Sequence, residues 1–177
     1  MSVLKVARLG HPVLRGATNT LSAEQIASSE LQKFIDDMIE TMKEYDGVGL
    51  AAVQVHEAKK LVVLEVADNP RYPGKPSVPL SVLINPRFEP LSEEMEEDWE
   101  GCLSIIELRG KVPRYKTIRV QARDRNGQEL HFVASGFHAR VVQHETDHLN
   151  GKVFLDRMKD LSSLTHLQEF ARYWSQR

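Results

Sequence analysis

Phe137-His138-Ala139-Arg140-Val141-Val142-Gln143-His144-Glu145-Thr146-Asp147-His148-Leu149-Asn150-Gly151 is the stretch on which the fold turns. Phe137, Val141, His144 and His148 share one stripe at helical spacing and Asn150-Gly151 offers a stop, which predicts a helix whose apolar face carries two imidazoles. Just before it, residues 117–123 alternate, Asp124-Arg125-Asn126-Gly127 offers a turn, and residues 129–134 alternate again, which predicts a hairpin. Residues 61–66 and 82–84 are short apolar runs, read as two strands joined by a loop broken at Pro70, Pro73, Gly74, Pro76 and Pro79. Nearer the N-terminus, Ser22-Ala23-Glu24-Gln25 reads as a capping box, and Leu31, Ile35, Met38, Met42 and Tyr45 recur behind it as far as Asp46-Gly47, which predicts one helix. Leu164, Leu167, Phe170, Ala171 and Trp174 predict another at the C-terminal end. Helices at both ends and mainly antiparallel strands packed around the HExxH helix make the expected class α+β.

By length, 177 residues are a little over one domain, so residues 1–177 are read as a single unit. Such a chain buries about 70% of its unfolded surface and needs no disulfide or structural metal to fold. Lys plus Arg number 23 and Asp plus Glu 25, a net charge of −2 that gives no general attraction to nucleic acid or to an acidic membrane surface. No nucleic-acid motif is found either. Apolar runs such as Leu61-Val62-Val63-Leu64 are far shorter than the roughly 18 residues a membrane span requires, and the N-terminus carries neither a signal peptide nor an amphipathic presequence. A cytoplasmic monomer is the expectation. Residues 93–100 hold six acids and read as a solvated loop or edge, with metal delivery or partner binding as the second reading.

His144-Glu145-Thr146-Asp147-His148 is an HExxH motif. Positions four apart fall on one face of a helix, so both imidazoles can reach one metal while Glu145 stands beside its open position. That arrangement suits hydrolysis, because a metal acidifies its bound water and an adjacent carboxylate can take the proton and pass it to the leaving amine. A catalytic metal needs a third protein ligand. Glu169 lies 21 residues beyond His148, and Cys102 lies upstream in Glu100-Gly101-Cys102-Leu103-Ser104, where the glycine leaves room for another group and a following strand would hold the thiolate. Spacing does not choose between them. Gly47-Val48-Gly49-Leu50-Ala51-Ala52-Val53-Gln54 looks like backbone that something approaches closely, ending in an amide able to donate to an oxyanion; a small-residue turn into a strand accounts for it equally well.

Taken together, GxGLAAxQ, EGCLS and QHExDHLxG, in this order and at this separation, resemble the peptide deformylase family from about Val6 to about Leu155. The resemblance implies removal of the N-terminal formyl group from formyl-methionyl nascent polypeptides, with release of formate. It implies Cys102, His144 and His148 as metal ligands, Glu145 as general base and acid, and Gln54 and the Leu103 backbone N–H as oxyanion donors. Gly49 would pair its main chain with a peptide lying as an added strand. Val48, Phe137 and Val141 would line the methionine pocket, and Arg109 would lie near the peptide backbone. The implied metal is Fe²⁺ in cells, replaceable by Zn²⁺, Ni²⁺ or Co²⁺. The implied partners are the nascent peptide and the ribosome near its exit tunnel, although the long basic C-terminal extension of some members is lacking. Ile105-Ile106-Glu107 departs from the usual pattern, which has proline where Ile106 stands.

Two rivals remain. A small HExxH zinc endopeptidase would use His144, His148 and Glu169, leaving Cys102 idle. A closed structural site would need a fourth ligand, and the nearby candidate, His138, lies about 240° around the helix from His144.

Overall fold

The computed structural model describes residues 2–67 and 69–175. In chain order they form α1 (Ala23–Ala27), α2 (Ser29–Glu44), β1 (Gly49–Ala51), β2 (Leu61–Val66), β3 (Val78–Pro90), β4 (Met95–Cys102), β5 (Ile105–Tyr115), β6 (Thr117–Arg123), β7 (Glu129–Ser135), α3 (Gly136–Leu149), β8 (Thr165–His166) and α4 (Leu167–Tyr173). The class is α+β, with every paired strand antiparallel: five strands in the order β1-β2-β3-β6-β7, and three in the order β4-β5-β8.

β2 explains why its sequence is apolar at nearly every position. Successive side chains of a strand point to opposite faces, and here both faces are covered. Leu61 and Val63 pack with Ile35, Met38 and Met42 of α2, whereas Val62, Leu64 and Val66 pack with Val141, Val142 and Leu149 of α3. One strand thus serves two cores. The far side of α3 faces β4 and β5, where Arg140 donates to the carbonyls of Glu96 and Val112.

Two expectations change. The N-terminal helix divides at Ser28, which ends α1 and caps α2 by accepting from the Leu31 N–H; a second serine cap competes with continued winding. The acidic run lies on an edge, as expected: it belongs largely to β4, the edge strand of the smaller sheet. Glu94, Glu97 and Asp98 pair with Lys116, Lys159 and Lys75, but Glu100 is buried. At the C-terminal end, α4 starts only after the two-residue β8 has paired with Leu108 and Arg109. β5, rich in charge and containing Gly110 and Pro113, was not anticipated at its full length.

Candidate active site

Cys102 closes β4, and across a two-residue turn it pairs with Ile105 of β5. Both ends of the hairpin therefore hold the thiol. Its Sγ lies 3.2 Å from His148 Nε2, and the His144 and His148 rings are 5.1 Å apart at 75°. One ligand atom from each of the three residues lies within 4.8 Å of the others, and this is the one such group among the described residues. A tetrahedral site with metal–ligand bonds of about 2.0–2.3 Å separates its donors by roughly 3.5 Å, so the cluster has the right size and donor chemistry for a divalent metal with one position open. Burial alone would raise the Cys102 thiol, but the His148 and His144 imidazoles outweigh it and hold the thiol well below its usual range. Burial would likewise lower His144, but Cys102 and Glu100 hold it well above. The thiolate is the metal-binding form of cysteine.

Around the triad the neighbours are fixed. Gln54 is 1% exposed; its Oε1 accepts from the Ala51 N–H at 2.8 Å, which turns Nε2 toward Cys102 Sγ at 3.5 Å and Ser104 Oγ at 3.2 Å. Burial pushes the Glu145 carboxyl up, and its Oε2 has no hydrogen-bond partner. Glu100 accepts from His144 Nδ1 at 2.9 Å, from Arg114 at 2.9 and 3.0 Å, and from Arg140 at 2.8 Å. Burial would raise the Glu100 carboxyl; Arg114 and His144 outweigh this and keep it far below the ordinary range. Asp147 joins Arg114 to Arg157. Such outer carboxylates orient a ligating imidazole and select its tautomer.

The adjoining pocket is lined by Val48, Gly49, Gln54, Leu103, Phe137, Val141 and Glu145, together with Arg71, Tyr72 and Arg140. Arg109 is not at its surface: it lies behind Gly101, its Nη2 donating to the Arg71 carbonyl at 3.1 Å. Glu169 is half-exposed on α4, 3.8 Å from Arg172, and outside the triad. His138 stacks on Phe132. The sequence reading missed Tyr72, Arg114, Arg140 and the burial of Glu100. Only Glu100 carried a signal, its place two residues before Cys102.

Residues 3–163 match the family model for polypeptide deformylase. The chain belongs to the peptide deformylase family. Peptide deformylase 1 of Bordetella pertussis is 47% identical over 164 residues, 92% of each chain. Two structures of the class I type b peptide deformylase of Acinetobacter baumannii align at 40% identity, with TM-scores of 0.87 and 0.86. They cover 90% and 89% of this chain and 100% of their own, and the second has Met-Ala-Ser bound. This peptide deformylase is thus a hydrolase that removes the N-terminal formyl group from nascent peptides. Its Cys–His–His cluster fits a metal-dependent deformylase. Among the described residues no helix is long and apolar enough to cross a membrane. The segment from Leu164 onward lies beyond the family match.

Proposed function

We propose that this deformylase acts on formyl-methionyl peptides through Cys102, His144 and His148 as ligands to one divalent cation, Fe²⁺ in cells, with Zn²⁺, Ni²⁺ or Co²⁺ able to replace it. When bound, the cation acidifies a water and polarises the formyl carbonyl. Glu145 receives the proton of the attacking water and returns it to the departing amine, a task suited to a buried carboxyl held above its ordinary range. Gln54 Nε2 and the Leu103 N–H donate to the oxygen that gains negative charge. Gly49 pairs its main chain with the substrate backbone, and Val48, Phe137 and Val141 receive the methionine side chain. The Met-Ala-Ser held by the Acinetobacter enzyme supports a methionyl peptide as ligand. Arg109 reaches the peptide only through the pocket wall. Residues 1–177 form one catalytic domain, monomeric and cytoplasmic, which meets its substrates at the ribosome exit.

The observation that carries this reading is the convergence of the buried Cys–His–His cluster, the Gln54 amide and the Glu145 carboxylate on one pocket. Anaerobically prepared enzyme is to be given a formyl-Met-Ala peptide and formate measured. Release by the parent, and a fall of about 10²-fold or more in Glu145→Gln with metal retained, is the expected result. Cleavage of internal bonds in unformylated peptides, with no formate, would replace it by the endopeptidase reading.

A further inference from the structure

A line of aromatic side chains in contact, with one guanidinium between them, runs from the pocket past the smaller sheet. Phe137 meets Tyr72 with ring centroids 5.1 Å apart. The Arg109 guanidinium lies 4.6 Å from the centroid of Tyr72 and 5.3 Å from that of Phe170, and Phe170 meets Trp99 at 5.0 Å. Phe137 and Tyr72 line the pocket, whereas Arg109, Phe170 and Trp99 stand behind it.

Arg109 is the anomalous member. It is 4% exposed, none of the ion pairs among the described residues includes it, and its one hydrogen bond goes to the Arg71 carbonyl. A buried guanidinium without a counter-ion is costly, so the two aromatic faces are its main compensation. Its place matters to the wall. A β-carbon at Gly101 would lie 3.2 Å from Arg109 Nε and 3.3 Å from Cδ and Cζ, so the guanidinium fills the space that glycine leaves. The Tyr72 hydroxyl in turn bonds the N–H of Gly101 at 3.3 Å and its carbonyl at 3.4 Å. Gly101 adjoins Cys102.

α4 supplies the outer half of this sandwich. Its seven residues are too few to hold a helix unaided, and Phe170 is its one side chain that is not exposed. We propose that Phe170 is a positioning residue for the substrate pocket: seated on Arg109, it presses the guanidinium against Gly101 and Tyr72 and fixes the wall that receives the methionine side chain. The segment beyond the family match thereby becomes part of the substrate-binding apparatus. This inference rests on the reading of the pocket as the methionine site.

Steady-state kinetics on formyl-Met-Ala-Ser, with metal analysis, test it. In Phe170→Ala and Phe170→Leu we expect KM to rise about three- to tenfold, between the worth of an exposed and of a fully desolvated cation–π contact, with kcat and metal content at parental values. Phe170→Trp, which keeps an aromatic face, restores KM; Phe170→Leu, which keeps apolar bulk and hence the seat of the helix, does not. Arg109→Lys raises KM in the same way, because an ammonium cannot stack as a planar guanidinium does. Parental KM in Phe170→Ala and Phe170→Leu, beside a parent that deformylates, overturns the inference alone. A fall in kcat matched by metal loss overturns it in favour of a purely structural role. A parent that releases no formate overturns the reading of the pocket and this inference with it.

Discussion

Gly49 and Glu145 stand so close that a β-carbon at position 49 would come within 2.7 Å of Cγ and Cδ of Glu145. The glycine in β1 is therefore the space in which the carboxylate of α3 lies. Gly49→Ala forces the Glu145 side chain to shift from Cγ outward and is expected, with metal content retained, to lower kcat by about 10²-fold, as misplacement of a general base does. Kinetics beside metal analysis decide it; parental kcat would mean that Glu145 tolerates displacement.

Cys102 and Glu169 make opposite predictions as third ligand. Cys102→Ser is expected to abolish or strongly weaken metal retention and activity, whereas Glu169→Ala, on an exposed helix, leaves both within a few-fold of the parent. Cobalt gives a separate readout, since a Co²⁺–thiolate bond produces an intense near-ultraviolet charge-transfer band. A cobalt form that hydrolyses substrate without that band would remove Cys102 from the metal.

Glu100 is expected to act on the metal through His144. Glu100→Gln keeps the shape but discards the charge that Arg114, Arg140 and His144 share. Metal affinity measured by chelator competition should fall about 10- to 100-fold. Thermal stability should fall too, as two buried guanidinium groups lose their common partner. Unchanged affinity in a destabilised variant would confine Glu100 to holding the fold.

Asp37 gives a pH-dependent effect far from the metal. The Lys33 hydrogen bond, with help from the Ser2 N–H, lowers its carboxyl against the opposing effect of burial. A group whose pKa is lower when folded contributes stability above its unfolded value, about 3.9, and that contribution is lost as pH falls through the folded value. Denaturant midpoints of the parent should thus exceed those of Asp37→Asn near neutrality, with the gap closing below about pH 4. A gap that persists in acid would assign the effect to packing.

The helix carrying His144 and His148 was legible because its two imidazoles are local: a spacing of four encodes a shared face. Nothing local distinguishes Cys102 from Glu169, whose distances from the helix depend on how the sheets fold back. Nothing in the local sequence marks Arg114 and Arg140 as buried, and only tertiary pairing with Glu100 makes their burial tolerable. The division at Ser28 escaped notice because the apolar repeat from Leu31 onward is consistent with either one helix or two. Tyr72 lay in a stretch whose prolines announced irregular backbone, which says where strands stop but not which side chain turns inward.

Joining Cys102 to His148 through a metal would close a loop of 46 residues. By the relation that describes disulfides, a cross-link of that span removes about 4 kcal/mol of freedom from the unfolded chain. A metal held there would serve as a removable staple as well as a reagent, and its capture by a chelator would be expected to leave a protein that opens more readily to added protease. Removing the ion would then undo, in one event, both a cross-link between β4 and α3 and the site's chemistry.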